Sequence, residues 1–249
     1  MNGLRFIPLG VGDAFSARWY SSCLALEADG AWLLVDCPHP IRKMMREAGA
    51  TAGVDLDVDR LLGVVVTHLH ADHASGLEGL GYFSHFALRR PATLLAHPDV
   101  ARRLWEGHLA AGMEQLLPAV GASPRPMAQD DYFAWTPLDV DRPVTLGPFR
   151  IECRPTIHHI PTTALRIAAV GRSLGYSADT AFDPTLIEWL AAADLIVHET
   201  NLGVHTPYAD LAALPAALRA RMRLIHYPDG FDRAASVIEP LEQGRRYEV

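Results

Sequence analysis

Apolar runs separated by short polar loops dominate the chain, and most of these runs have the length of a strand. "LRFIPLG", "SCLALEAD" and "AWLLVDCP" predict three early strands, the last two joined by a turn at Asp29-Gly30. "LLGVVVT" is a β-branched apolar run of the kind found in strands buried on both faces. Further strands are predicted by "ATLLAHP", "PVTLGPFRIECRPTI", "ALRIAAVGRSLGYSA", "DLIVHET" and "MRLIHYP".

Helical spacing of apolar residues follows several of these strands. "PIRKMMREAG" predicts a helix that stops at Gly49, and "DVARRLWEGHLAAGMEQLLPAV" predicts a long helix capped by Asp99. "DPTLIEWLAAA" has Asp183 at the N-cap with Pro184 at the first position, and "YADLAALPAALRAR" is also helical. Strands come first and then mix with helices, twice over. This order predicts an α/β fold in one domain, 1–249, with two facing sheets and helices outside them.

The composition narrows the class of protein. The chain has 249 residues, 49% of them hydrophobic, and a net charge of -7, which argues against an extended nucleic-acid interface. Three scattered cysteines without a CxxC pair indicate a reducing compartment. No signal peptide or membrane-spanning run is recognisable, so we expect a cytoplasmic protein without a membrane partner. An irregular segment at about 104–140 is expected to cover a site or to form a homodimer contact.

The stretch "THLHADH" places His68, His70, Asp72 and His73 directly after a buried strand. Buried polar groups are costly without partners, so this density of them indicates a bound metal ion. Extended residues alternate in direction, so His68 and His70 can face the same side, while the following turn brings Asp72 and His73 to a neighbouring point. One loop can thus supply two ligands to each of two ions, which would share a bridging hydroxide as the nucleophile.

The remaining ligands are expected at other strand ends, where functional groups collect in α/β folds. The candidates are His158 or its neighbour His159 in "PTIHHIP", Asp179 in "YSADT" and His226 in "LIHYP". Asp179 follows an apolar strand, at a point where one carboxylate can bridge two cations. The histidine and carboxylate donors suit zinc, with manganese or iron as alternatives.

With these motifs the chain resembles the metallo-β-lactamase-fold hydrolases over nearly its whole length. The resemblance implies a four-layer αβ/βα sandwich with its site at one edge of the two sheets. It further implies that the first metal is held by His68, His70 and His158, the second by Asp72, His73 and His226, and that Asp179 bridges them. The segment "HHIPTTALRI" is similar to a ribonuclease Z pattern that favours His158 over His159 as the ligand.

Four stretches resemble the ribonuclease Z-like phosphodiesterases in particular: "LGVGDAFSARWYSS", "HADHASGLEGL", "SLGYSADT" and "DLIVHETNLGVH". This branch implies that Glu199 and His205 form a proton relay in which His205 protonates the leaving group, with Asp72 as a further catalytic residue. The segment between His158 and Asp179 is too short for the tRNA-gripping arm of ribonuclease Z proper. We therefore expect a small ester substrate, such as a cyclic nucleotide, rather than tRNA.

Other functions compete with this hypothesis. The same metal centre could hydrolyse a carboxylic ester, a thioester or a lactone, because the ligands do not distinguish phosphorus from carbonyl carbon. A non-catalytic scaffold is disfavoured because every expected ligand is present. Candidate anion contacts are Arg18, Arg166 and the group Arg219, Arg221 and Arg223, and candidate pocket walls are Trp105, His108, Tyr132, Phe133 and Trp135.

Overall fold

Two seven-stranded sheets face each other in the computed structural model, which describes residues 3–249. In chain order the strands are β1 (Arg5–Gly10), β2 (Cys23–Ala28), β3 (Ala31–Val35), β4 (Leu61–Val65), β5 (Ala92–Ala96), β6 (Gln115–Leu116), β7 (Arg125–Pro126), β8 (Phe133–Pro137), β9 (Val144–Leu146), β10 (Phe149–Pro155), β11 (Thr163–Ala169), β12 (Arg172–Tyr176), β13 (Leu195–Glu199), β14 (Met222–Ile225), β15 (Glu239–Pro240) and β16 (Tyr247–Glu248). The helices are α1 (Ile41–Ala52), α2 (Ala71–Ala74), α3 (Leu77–Phe83), α4 (Pro98–Ala101), α5 (Ala110–Met113), α6 (Pro184–Leu190), α7 (Tyr208–Ala212) and α8 (Ala216–Arg219).

The strand order explains where functional groups collect. The first sheet runs β16-β1-β2-β3-β4-β5-β8 and the second runs β15-β14-β13-β12-β11-β10-β9. Strands β3, β4, β5 and β8 are mutually parallel, and so are β12, β13, β14 and β15. The carboxyl ends of parallel strands lie at one edge of a sheet, so loops distant in sequence converge there.

Alternating side chains of the strands fill two hydrophobic cores. Phe6, Leu24 and Leu33 of the first sheet belong to the same core as Ile167 and Leu174 of the second, which places that core between the sheets. A second core lies between the opposite face of the first sheet and α1 and α3, and contains Ile7, Leu34, Met44 and Leu80. Leu186 and Leu190 of α6 pack on the second sheet. The layers therefore follow the expected order of helix, sheet, sheet and helix.

The end of α1 differs from the prediction. The helix continues through Gly49 and ends at Gly53, whose φ of 70° is the left-handed conformation that suits glycine. Gly49 serves a different purpose, because a Cβ there would lie 2.8 Å from the carbonyl oxygen of Val54. The expected stop at Gly49 was therefore wrong. This glycine lets the chain that follows the helix, at Val54, approach the helix closely.

The long helix expected from Asp99 onward is broken. His97, not Asp99, is its N-cap residue, and the backbone N–H of Asp99 donates to the His97 ring. After α4 the chain continues as a π-helical turn, Trp105–Leu109, and then as the short α5. Buried Leu104, Leu109 and Met113 explain why the spacing looked helical throughout. The segment "YADLAALPAALRAR" is likewise split, into α7 and α8, at Pro215.

Two further expectations concern disulfide bonds and membrane-spanning helices. Cys23, Cys37 and Cys153 are free and buried, so no disulfide joins them. Within residues 3–249, no helix has both the length and the apolar character needed to cross a membrane.

Two of the helical glycines, Gly49 and Gly79, provide a test of this packing. Gly79 lies exposed on α3 with open space at its Cβ, so Gly79→Ala should raise the free energy of unfolding by about 0.5–1 kcal/mol. Gly49→Ala should lower it by about 1–3 kcal/mol, because the added methyl group meets backbone. Urea unfolding of the two variants beside the unsubstituted protein measures both values. Stabilisation by Gly49→Ala would contradict the close approach.

Candidate metal centre

Loops at the carboxyl ends of four strands surround the centre. His68 and His70 follow β4, and Asp72 and His73 lie on α2 immediately after them. The remaining predicted ligands come from three other loops: His158 lies between β10 and β11, Asp179 follows β12, and His226 follows β14.

The first cluster consists of His68, His70, His158 and Asp179, whose ligand atoms all lie within 4.8 Å of one another. Nε2 of His158 lies 3.1 Å from Nδ1 of His70. Oδ2 of Asp179 lies 3.7 Å from Nε2 of His68 and 3.7 Å from Nε2 of His158. Three imidazoles and one carboxylate thus converge on one point.

The second cluster consists of Asp72, His73, Asp179 and His226, again with ligand atoms within 4.8 Å of one another. Nε2 of His73 lies 3.3 Å from Oδ2 of Asp72 and 3.3 Å from Oδ1 of Asp179. Nε2 of His226 lies 3.1 Å from Oδ2 of Asp72. Asp179 belongs to both clusters, so its carboxylate stands where a bridging ligand is needed.

Of the neighbours His158 and His159, only the first belongs to a cluster. The side chain of His158 is fully buried. His159 is exposed, and its ring centre lies 6.1 Å from that of His70. The geometry therefore favours His158 as the ligand.

Buried nitrogen atoms without partners show that the clusters suit cations. Nε2 of His68 and Nε2 of His73, the ring nitrogens that lie near the carboxylates of the clusters, are buried and form no hydrogen bond within residues 3–249. Buried polar atoms are rarely left unpaired in proteins, and metal coordination is one way of satisfying them. Imidazole nitrogens and carboxylate oxygens are the donors that zinc and related ions take.

Burial sets the ionisation of the first cluster. It lowers the pKa of His68 well below the usual value and that of His158 to about 4, against the opposing charge of Asp179. Burial also lowers the pKa of His70. These imidazoles are therefore neutral, which is the form that ligates metals.

Carboxylates outweigh burial in the second cluster. Burial acts to lower the pKa of His226, but the charge of Asp179 and the hydrogen bond with Asp72 raise it to about 9. Burial acts to raise the pKa of Asp179, but the charges of His226 and His73 bring it well below its usual range. Each partner thus favours the charged form of the other. A cation bound in this cluster would stabilise the same carboxylates that the protonated imidazoles stabilise.

Asp36 is a member of the site that sequence reasoning missed. It is buried after β3, and its Oδ2 lies 2.8 Å from Nδ1 of His73. Its Oδ1 accepts hydrogen bonds from the backbone N–H and hydroxyl of Thr67, at 2.8 and 2.9 Å. Asp36 therefore orients His73 so that Nε2 faces the carboxylates of its cluster. The available signal was a carboxylate at the end of the buried run "AWLLVD".

Three residues at this edge have backbone conformations that are uncommon for side chains other than glycine. They are Asp36, with a φ of 63°, Ala178, with a φ of 49°, and His226, with a φ of 59°. Positive φ values in non-glycine residues cluster at functional sites, where the surrounding structure holds them. Here each bends the chain beside a strand end, at or next to a residue of the centre.

Glu199 and His205 meet beside both clusters. Nδ1 of His205 lies 2.9 Å from Oε1 of Glu199, which also accepts from the backbone N–H of Thr180 at 2.9 Å. An ionised carboxylate can only accept, so Nδ1 of His205 is the donor and carries the proton. Burial acts to lower the pKa of His205, but this hydrogen bond raises it. Nδ1 of His205 is also 3.9 Å from Oδ2 of Asp179, which places the pair at the centre.

Several other expected contacts lie elsewhere. Tyr132 and Phe133 are buried in the second core, between the first sheet and its helices, so the expectation that they wall a substrate pocket was wrong. Arg166 pairs with Glu152 and stacks over Trp189. The structure also engages Arg18 with the carbonyl of Asp229, Arg221 with the carbonyls of Ala191 and Ala193, and Arg223 with Glu239. His108 does approach the centre, with Nε2 3.4 Å from the carbonyl oxygen of Ala74.

Comparison with known proteins gives the family. The family described as anti-Pycsar protein Apyc1 matches residues 4–246. The anti-Pycsar protein Apyc1 of Saccharibacillus brassicae is 30% identical over 252 residues, covering 97% of this chain and 98% of that protein. The cAMP/cGMP-dependent 3′,5′-cAMP/cGMP phosphodiesterase B of Dictyostelium discoideum is 25% identical and matches 96% of this chain, but only 22% of its own length.

Solved structures give the fold. The metallo-β-lactamase fold protein YhfI from Bacillus subtilis superposes with a TM-score of 0.76 at 18% identity, covering all of both chains. The short form of human tRNase Z superposes with a TM-score of 0.68 at 19% identity, covering 98% of each chain. The predicted metallo-β-lactamase fold and the resemblance to ribonuclease Z are thus confirmed.

Removal of the shared carboxylate tests the two clusters. Asp179→Ala should reduce bound metal from about two ions per chain to almost none, because both clusters lose a ligand at once. Elemental analysis after dialysis against zinc measures this, and circular dichroism checks the fold. Asp139→Ala, which removes a half-buried carboxylate that belongs to neither cluster, is the matched control. If Asp179→Ala retained both ions, Asp179 would not be a bridge.

Proposed function

The chain belongs to the anti-Pycsar protein Apyc1 family, and from this premise we propose that it is a metal-dependent phosphodiesterase acting on cyclic nucleotides. The observation that carries the proposal is the pair of clusters that share Asp179, with the Glu199–His205 pair beside them. A relative named as a cAMP/cGMP phosphodiesterase supports the substrate class. The net charge of -7 favours a small substrate over a long nucleic acid.

The ligand assignment belongs to the proposal. His68, His70 and His158 would hold one divalent ion, and Asp72, His73 and His226 would hold the other, with Asp179 as a ligand common to both. Divalent ions in such a site neutralise charge that develops on phosphoryl oxygens and make water nucleophilic at neutral pH. The imidazole-rich donor set favours zinc, and metal analysis of the purified protein distinguishes zinc from manganese and iron.

The protein's own residues contribute orientation and proton transfer. Asp36 holds the ring of His73 in place, and Thr67 holds Asp36. Glu199 holds His205 through Nδ1, which leaves Nε2 of His205 as the atom that can give a proton to a departing alkoxide. The hydrogen bond that raises the pKa of His205 also favours its protonated form. His205 is therefore the general acid, and Glu199 is a positioning residue.

A substrate panel tests the reaction type. The zinc-loaded protein should hydrolyse 3′,5′-cyclic AMP or cyclic GMP and bis(p-nitrophenyl) phosphate, and it should leave p-nitrophenyl acetate and simple lactones essentially untouched. Steady-state kcat/KM values for each substrate provide the measurement. Asp179→Ala provides the blank, and Asp139→Ala the matched active control. Faster turnover of carboxylic esters or lactones than of any phosphodiester would replace the proposal with the alternative reaction.

The leaving group reports on His205. His205→Ala should slow hydrolysis of a cyclic nucleotide, which has a poor alkoxide leaving group, by about 100-fold or more. It should slow bis(p-nitrophenyl) phosphate far less, because p-nitrophenolate departs without a proton. Single-turnover rates on both substrates separate these effects from product release. Equal losses on the two substrates would exclude His205 from proton transfer.

A further inference from the structure

A cleft of about 370 Å³ opens between α4, the π-helical turn after it and the loop that carries His158. Its lining includes Leu69, Val100, Arg103, His108, Ile160 and Pro161. The metal clusters and the Glu199–His205 pair contain none of these residues. The cleft is therefore a distinct feature of the surface that the proposed chemistry leaves unexplained.

Three residues of the cleft lining, Leu69, Ile160 and His108, lie next to the loops of the metal centre. Leu69 stands between the candidate ligands His68 and His70, about 3.8 Å from each measured between Cα atoms. Ile160, another lining residue, comes directly after the pair His158-His159. The cleft therefore adjoins the two loops that carry His68, His70 and His158.

The π-helical turn that carries His108 also connects the cleft to the metal loop. His108 belongs to the π-helical turn Trp105–Leu109, and its Nε2 lies 3.4 Å from the carbonyl oxygen of Ala74, the residue after His73. The turn breaks what would otherwise be a continuous helix, and π-helical turns occur frequently at functional sites. The broken helix thus has one of its turns against the metal loop.

The walls suit a flat, largely apolar ring with polar edges. Leu69, Val100 and Ile160 present aliphatic surface, and a volume of about 370 Å³ is at the small end of the range for ligand sites. The side chain of Arg103 is exposed and forms no ion pair or hydrogen bond with any residue of the described chain, 3–249. Gly107 leaves space for it, since a Cβ there would lie 3.1 Å from Nε of Arg103.

We propose that this cleft binds the base of the cyclic nucleotide, with the aliphatic side chains against the ring and Arg103 bound to its face or its acceptor edge. The assignment rests on the proposed function. It is supported by the position of the cleft beside the metals, the apolar walls and the unpaired guanidinium. Arginine stacks on aromatic faces and donates hydrogen bonds to ring acceptors, whereas it has no protein partner here.

Selectivity for the base tests the assignment. The ratio of kcat/KM for cyclic GMP to kcat/KM for an abasic ribose 3′,5′-cyclic phosphate should fall about tenfold in Arg103→Ala, the effect of losing one stacked or hydrogen-bonded cation. Ile160→Trp, which fills the cleft, should lower the same ratio. Arg90→Ala removes an exposed arginine at the opposite end of β5 and should keep the ratio of the unsubstituted protein. Equal losses on both substrates in Arg103→Ala and Ile160→Trp would overturn the assignment.

A binding measurement separates this assignment from the proposed reaction. Calorimetric titration of the metal-loaded protein with a slowly hydrolysed phosphorothioate analogue of cyclic GMP requires no turnover. If no phosphodiester is hydrolysed, the proposed function fails, but binding that is weakened by Arg103→Ala and not by Arg90→Ala still supports the cleft as a base site. Absence of binding, or equal affinity in the two variants, overturns it.

Discussion

The rest of the centre depends on the contacts between the carboxylate of Asp179 and the surrounding imidazoles. The carboxylate is buried, and its oxygens lie within 3.3 to 3.7 Å of imidazole nitrogens of four histidines, His68, His73, His158 and His226, which come from three separate segments. A buried carboxylate is tolerated only when charge or hydrogen bonds compensate for its lost hydration. Here imidazoles provide that compensation, and two of them, His68 and His73, each have an unpaired buried Nε2 that a cation would satisfy. The carboxylate and the imidazoles are thus stable as a group around bound metal.

The two sheets make this convergence possible. Each sheet has a parallel half, and the carboxyl ends of those halves carry the polar residues of the centre. The first sheet supplies the "THLHADH" loop together with Asp36, and the second supplies Asp179, Glu199 and His226. The shared core between the sheets keeps these loops opposite one another. Because packing in the core is dense, small displacements of the loops are resisted, and the geometry of the clusters is preorganised.

Chemistry and specificity occupy different parts of the surface. The metal clusters and the Glu199–His205 pair stand at the strand ends, where the core holds them rigidly. The proposed base cleft is formed by a broken helix and a loop, which can vary without disturbing the sheets. Arg103 and Ile160 illustrate this, since neither belongs to a strand. Such a division would let members of one family keep the reaction and change the substrate.

The sequence by itself determined the chemistry of the centre, because a dense group of histidines and carboxylates after a buried strand has few other physical explanations. It also predicted the sandwich, since strand and helix periods are local properties of the chain. Only the tertiary structure placed His158 beside His70, in agreement with the choice that the resemblance favoured, added Asp36 to the centre, and broke the helix after Pro98. Each of these depends on which segments meet in space: His158 is turned towards His70, Asp36 meets a histidine from another loop, and buried Leu104 and Leu109 retain helical spacing although the backbone between them changes its turn. Contacts between distant segments are not encoded in local periodicity, so they became visible only in the folded chain.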